Sequence, residues 1–343
     1  MSAGQRRGFL TGGTWCADHN KLLDRWPVEE TVTRILEESV EGGGSACNFG
    51  IDIRRLDPSM PVATIGCVGD DEDGRILLRY ADDNGIDRTG MRVIAGGRTN
   101  YTDAYSTRDT GKRTHIFHQG TSALLSPDHF DFAGTSARIF HLGLPGIHDV
   151  MDNAWKGEVN GWVATLKAAR AAGLETNFEL LQIAPERLRE LAEPCLLHLD
   201  TLVINDYEIG AITGSQTTRD GETDIAACEA AGRQIMERSS VKVLAIHFPR
   251  AAIAFTRDGA VYRHPSVNVP QSEVRGANGA GDAFAAGFMY GHHEGRPVPD
   301  CLKLAHASAA ASLRSVGTTG SVETAERCLA LADDWGWRSM PAA

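Results

Sequence analysis

The chain has 343 residues, with 34 Lys plus Arg against 45 Asp plus Glu, a formal net charge of −11. Nucleic acids are bound mainly through cationic side chains that release counterions, so a polyanionic partner is not expected and any anionic ligand must be held locally. A hydrophobic share of 42% with 23% charged residues excludes long disorder and allows a large core.

The first strand runs from Gly8 to Thr11 and turns sharply at Gly12-Gly13. Apolar residues from Ala46 to Leu56 fall on one helical face, Val62 to Val68 reads as a buried strand, and Asp73 to Asn84 returns to helical spacing. Between Arg98 and His118 two β-prone runs flank Asp109-Thr110-Gly111-Lys112 and form a hairpin that reads as a lid. Alternation then resumes with strand Arg138 to Leu142, helix Gly161 to Ala172, and strands Glu175 to Leu180 and Thr201 to Asn205. Helix Ala226 to Arg238 and strand Val241 to Phe248 follow. A second hairpin pairs Ala251 to Thr256 with Val261 to His264 around Asp258-Gly259, and the last helical segment concentrates small residues between Ala305 and Ser312. Repeated βα units predict an α/β fold with a mostly parallel sheet covered by helices. No linker divides the chain, so one large domain over 1–343 is expected.

Seven cysteines (Cys16, Cys47, Cys67, Cys195, Cys228, Cys301 and Cys328) are odd in number, scattered and without a C-x-x-C pair, which predicts buried free thiols. No apolar run reaches the ~18 residues of a membrane span. The opening MSAGQRRGFLTGG has too short an apolar stretch for a secretory leader. The expectation is a cytoplasmic protein with no membrane partner.

The strongest local signal is Gly276-Ala277-Asn278-Gly279-Ala280-Gly281-Asp282, a glycine-rich turn that opens into an Ala-rich helix. Free N–H groups and the positive dipole end at such a helix start form an anion site without any net positive charge. Asp282 in the first turn suits proton abstraction from a hydroxyl while the amides of Gly279, Ala280 and Gly281 hold a phosphoryl group. The same residues also fit an ordinary glycine turn with a favourable acidic first-turn residue, and the motif alone does not choose. Neither G-x-x-x-x-G-K-[ST] nor G-x-G-x-x-G is present, so a nucleotide has to be bound in another way.

Gly-Ala-Gly-Asp before an Ala-rich helix resembles the C-terminal signature of the PfkB family of carbohydrate kinases, which have the ribokinase-like fold. Three further elements follow the family's order. Gly43-Gly44-Ser45-Ala46-Cys47-Asn48 is similar to its G-G-x-x-x-N element, Thr14-Trp15-Cys16-Ala17-Asp18 resembles the segment whose Asp binds paired hydroxyls, and Asn205-Asp206-Tyr207-Glu208 fits its N-x-x-E. The resemblance covers roughly Gly8 to the chain end. It implies a doubly wound, mostly parallel sheet with helices on both faces and a small β-sheet lid from about 14–42 and 96–120.

For function, the resemblance implies ATP-dependent phosphorylation of a hydroxyl on a small sugar or related polyol. Asp282 would be the catalytic base, and Asn278, Gly279, Ala280 and Gly281 the anion hole. Asp18, Gly43, Gly44 and Asn48 would bind the acceptor, Asn205 and His306 the nucleotide, and Glu208 with Asn205 would hold Mg²⁺ directly or through water. The residue types agree: adjacent glycines allow close backbone approach, Asn48 offers donor and acceptor, an ionised Asp18 takes two hydroxyl protons, and Asn205 and Glu208 are hard oxygen ligands. Lids of this kind pair in the family, which implies a homodimer. A nucleoside or sugar-acid kinase on the same scaffold is the alternative, and a catalytically weak sugar or nucleotide sensor is the rival from another class.

Departures narrow these expectations. Gly276-Ala277 replaces the Asp-Thr of many members, so potassium activation is not carried over. His247-Phe248-Pro249-Arg250 stands in place of a glycine-containing loop, and His141-Leu142-Gly143 stands where ribokinases place a sugar-contacting Glu.

Overall fold

The computed structural model describes residues 6–110 and 113–341. Fifteen strands are present among them. In chain order they are β1 (Phe9–Gly13), β2 (Cys16–Leu23), β3 (Ile35–Gly43), β4 (Val62–Gly69), β5 (Asp87–Ile94), β6 (Tyr101–Thr107), β7 (Arg113–His118) and β8 (Ile139–Gly143). Then come β9 (Glu175–Phe178), β10 (Thr201–Asn205), β11 (Thr218–Arg219), β12 (Glu222–Thr223), β13 (Val243–Phe248), β14 (Ala251–Thr256) and β15 (Val261–Pro265). The helices are α1 (Ser45–Leu56), α2 (Glu72–Asp83), α3 (Asp149–Asp152), α4 (Gly161–Ala171) and α5 (Pro185–Ala192). The remaining five are α6 (Asp206–Thr213), α7 (Ile225–Arg238), α8 (Ala280–His293), α9 (Val298–Ser312) and α10 (Ala325–Trp335).

A nine-stranded sheet has the order β15-β14-β13-β10-β9-β8-β1-β4-β5. From β13 to β5 every pairing is parallel, and β14 and β15 add antiparallel at one edge. Every residue of β1 and β8 is buried, as expected for central strands covered on both faces. One face is covered by α1, α2, α8, α9 and α10 around a core containing Phe49, Phe284 and Phe288. The other carries α4, α5, α6 and α7 around Trp162, Phe178 and Phe140.

The chain proceeds from β1 outward to β4 and β5, then from β8 in the opposite direction, so strand order reverses between β1 and β8. Open α/β sheets bind ligands in the crevice at such a reversal, outside the carboxyl ends of the strands. Two glycines form this point. Gly13 has φ 118°, and a Cβ there would lie 1.5 Å from the Gly143 carbonyl oxygen.

Above the crevice lies a second sheet of order β3-β2-β6-β7, with β2 and β6 parallel and the outer pairs antiparallel. The hairpin read at 98–118 is its β6-β7 half, although Gly111 and Lys112 of its turn lie outside the described residues. Two boundaries shift from the expected positions. The strand expected from Val241 begins at Val243, and the one expected to reach Leu180 ends at Phe178, which releases Glu179 toward the crevice. All seven cysteines are buried and free, as their scatter suggested.

Candidate active site

Glycines let the acceptor side of the crevice close up. Gly43 ends β3 opposite Cys16, and a Cβ on it would sit 2.1 Å from Asp18 Oδ2. Gly44 has φ 87° and no space either, because its Cβ would meet the Thr14 carbonyl oxygen at 2.6 Å. The backbone therefore wraps onto the carboxylate, a conformation that L side chains disfavour. α1 starts at once at Ser45, and Asn48 in its first turn donates from Nδ2 to Asp282 Oδ2 at 2.9 Å. Asp18, Gly43, Gly44, Asn48 and Asp282 thus converge from three distant parts of the chain.

Gly279 caps α8 in the left-handed region with φ 73°, and a Cβ there would lie 2.2 Å from the Thr318 carbonyl oxygen. The first turn of a helix has N–H groups without intrahelical acceptors, so Gly279, Ala280 and Gly281 present an anion cradle beside Asp282, with Asn278 leading in. Burial, reinforced by contact with the Glu179 carboxyl group, pushes the Asp282 carboxyl well above its ordinary range. Asp18 is pushed up to about 7, first by burial and then by the charge of Asp282.

Glu179 was not singled out by the sequence. It follows β9 directly, its Cβ stands beside Gly143, and its carboxyl group bears on Asp282. A chain of side chains stands behind it. Asn177 donates from Nδ2 to Thr201 Oγ1 at 3.2 Å, leaving its Oδ1 to accept from His141 Nδ1 at 2.8 Å. His141 is fully buried, stacked on Phe49 with ring centroids 3.8 Å apart, and held neutral by burial, which lowers its pKa to about 4. Its bare Nε2 therefore faces Glu179 Oε2 at 2.8 Å, poorly aligned for a hydrogen bond. Burial pushes Glu179 up to about 7, which lets it carry the proton this contact requires.

On the other side of α8's first turn lies a cavity of about 510 Å³ whose walls include Asn205, His247, Pro249, Ala280, Gly281 and His306. It is of the size that holds a small organic ligand. The predicted nucleotide residues Asn205 and His306 therefore share a cavity with the anion cradle. His306 is buried, donates from Nε2 to the His264 carbonyl at 3.2 Å and packs edge-on to Phe284. Burial, followed by His264 and His247, drops its pKa to about 3, so it is a neutral ring. His247 stands 3.7 Å from where a Gly281 Cβ would be, and burial lowers its pKa to about 4. Its position in the altered loop was noted, but its approach to the cradle was not.

Asn205 and Glu208 form a capping box at the start of α6. Asn205 Oδ1 accepts from the Glu208 N–H at 2.8 Å, and Glu208 Oε2 accepts from the Asn205 N–H at 2.9 Å. Glu208 is nonetheless buried, and burial pushes it up to about 7, so its charged form lacks a cation. Among the described residues no three His, Cys, Asp or Glu side chains converge as a direct metal cage. Asn205 and Glu208, both hard oxygen donors, are the residues that could hold a magnesium ion.

A model of the pfkB family of carbohydrate kinases matches residues 16–325. The chain belongs to this family. It is a phosphotransferase that acts on an alcohol group of a carbohydrate. Among related pfkB kinases, the ATP-dependent ribose-1-phosphate kinase of Halopiger xanaduensis is 25% identical, with 82% of this chain and 83% of the relative aligned. The 5-dehydro-2-deoxygluconokinase of Geobacillus thermodenitrificans is also 25% identical, over 93% of this chain and 91% of its own. The fold matches the Arabidopsis thaliana ribokinase solved with ribose and ATP at a TM-score of 0.76 and 19% identity, over 95% and 99% of the two chains.

Proposed function

We propose that this pfkB kinase transfers the γ-phosphoryl group of ATP to a hydroxyl of a small polyol held between Asp18, Gly43, Gly44, Asn48 and Asp282. The observation that carries this reading is the Asn48–Asp282 hydrogen bond of 2.9 Å, which ties the acceptor loop to the helix that cradles the anion. Asp282 accepts the hydroxyl proton, and the amides of Gly279, Ala280 and Gly281 stabilise charge on the transferring group. Asn205 and His306 line the nucleotide cavity. Mg²⁺, when bound, neutralises phosphate charge, and Asn205 with Glu208 orients its water shell. The small sheet from about 14–42 and 96–120 acts as the lid of the 1–343 domain and excludes water during transfer.

An ADP-release assay with neutral sugars, sugar acids and nucleosides tests the reading. Acceptor-dependent ADP formation is the expected result. Ligand-induced stabilisation without ADP formation from any of them would establish the sensor reading instead. For the metal, Glu208→Gln raises the Mg²⁺ concentration for half-maximal rate at least several-fold, and an unchanged titration removes Glu208 from that role.

Pairing through the lid is supported by exposed apolar side chains on the small sheet and its β2–β3 connection: Trp26, Val28, Val32, Ile35, Val40 and Ile116. Such a patch is unusual on a free surface. Light scattering of the intact chain, at twice the mass of one protomer, is the expected outcome. Among the described residues no helix is long and apolar enough to cross a membrane.

A further inference from the structure

Buried polar atoms without partners surround the acceptor cleft. Ser45 Oγ, Asn48 Oδ1 and Asn100 Oδ1 belong to residues at most 4% exposed, and none has a hydrogen-bond partner. Buried polar groups are ordinarily hydrogen-bonded, so three orphans around one cleft point to a ligand or water that satisfies them. Their placement follows the cleft's length. Asn100 donates from Nδ2 to the Trp15 carbonyl at 2.8 Å, beside Cys16 and Asp18 at one end. Asn48 and Ser45 stand with Asp282 and Glu179 at the other.

These atoms share one chemical character. Asn48 Oδ1 and Asn100 Oδ1 are acceptors, and the tautomer fixed by Asn177 leaves His141 Nε2 an acceptor toward Glu179. Around them stand carboxyl groups: Asp18 with Glu41 near it, then Asp282 with Glu179 against it. Asp18, Glu179 and Asp282 each keep part of their surface open. The strongest influences on Asp18, Glu179 and Asp282 include no lysine or arginine. Lys21 pairs with Asp103, and Arg98 lies over the Tyr101 ring.

We propose that the acceptor is an uncharged polyhydroxylated molecule, and that Glu179, backed by His141, excludes sugar acids and sugar phosphates from the cleft. The inference rests on the kinase reading above and narrows its acceptor. A hydroxyl donates to the orphaned oxygens and to Asp18. A carboxylate or phosphate only accepts, and would be stripped of water beside groups that only accept or carry like charge. Because burial brings Asp18 and Glu179 to about 7, an incoming anion must either face their charge or drive proton uptake. Two relatives named for ribose 1-phosphate and a gluconate act on anionic acceptors, so the proposal separates this chain from them.

The test uses matched pairs with the intact chain and Mg-ATP: ribose against ribose 1-phosphate, and glucose against gluconate, with inosine as a neutral nucleoside. A neutral acceptor is expected to exceed its anionic counterpart at least 100-fold in kcat/KM. Glu179→Gln narrows that ratio at least tenfold, chiefly by improving the anion, while the isosteric amide keeps the fold by melting temperature. An anion used as well as its neutral partner, or a ratio unmoved by Glu179→Gln, overturns the proposal. Thermal shifts with the same acceptors alone separate the two readings. Stabilisation by neutral sugars only, without any turnover, defeats the kinase reading and sustains the acceptor class. Stabilisation by the anions, or by none, defeats the acceptor class.

Discussion

Asp282→Asn lowers kcat by about 10³-fold, inside the ~10²–10⁴ range of a general base, while the melting temperature holds or rises. The amide oxygen can still accept from Asn48, which donates at 2.9 Å, so the acceptor loop stays docked on α8. Stability is not expected to fall, because the carboxyl group is buried against Glu179 and its charged form is disfavoured. Loss of activity without loss of stability is what distinguishes a base from a packing residue, and turnover equal to wild type would end the assignment. The pH profile adds a second reading. A base must be ionised, and burial holds Asp282 well above its ordinary value of 3.8, so kcat/KM falls on the acid side from a pH well above 4. An acid limb at the ordinary carboxylate value would contradict the buried pair.

Most of the site was legible because glycines and short motifs mark places where backbone geometry admits few alternatives. Gly43, Gly44 and Gly279 each stand where a Cβ would strike a neighbour within 2.6 Å, and each belongs to an element identified in the sequence. The βα alternation was equally clear, since inner strands such as β4, Val62-Ala-Thr-Ile-Gly-Cys-Val-Gly69, are almost wholly buried and read as mainly apolar runs. The edge strand β5 was not read. Four of its eight residues are exposed and the other four half-buried, in no regular alternation, leaving no clean period. Glu179 was missed for a different reason. It lies in Thr176-Asn177-Phe178-Glu179-Leu180, which carries no motif, and only the parallel register of β8 with β9 sets it beside Gly143 and Asp282. Asp52 escaped similarly. One acid in an amphipathic helix suggests a solvent-facing position, yet ten of the twelve residues of α1 are buried between the sheet and α8.

Asp52→Asn stabilises the protein by an amount that grows with pH. Asp52 is fully buried, and neither of its carboxyl oxygens has a hydrogen-bond partner. Burial, then the charge of Asp282, raises its pKa well above 3.8, and Arg55 offsets only part of this. At pH below 3.8 the group is protonated in both folded and unfolded chains and costs nothing extra. As pH rises, the unfolded chain ionises and the folded one does not, so the native state loses about 1.4 kcal/mol per pH unit until the folded pKa is reached. The amide cannot ionise, and that slope vanishes. With an unfolding entropy of ~2 cal/mol/K per residue, a chain of this length gains about 2 °C in melting temperature per pH unit. The two proteins should melt together near pH 4 and diverge as pH rises, until Asp52 ionises in the folded chain. A constant gap would mean that the amide acts through packing alone. Arg55 supplies a further check: above the pH at which the gap stops growing, Arg55→Met costs wild type more than the Asp52→Asn background, because only the ionised carboxylate uses that charge.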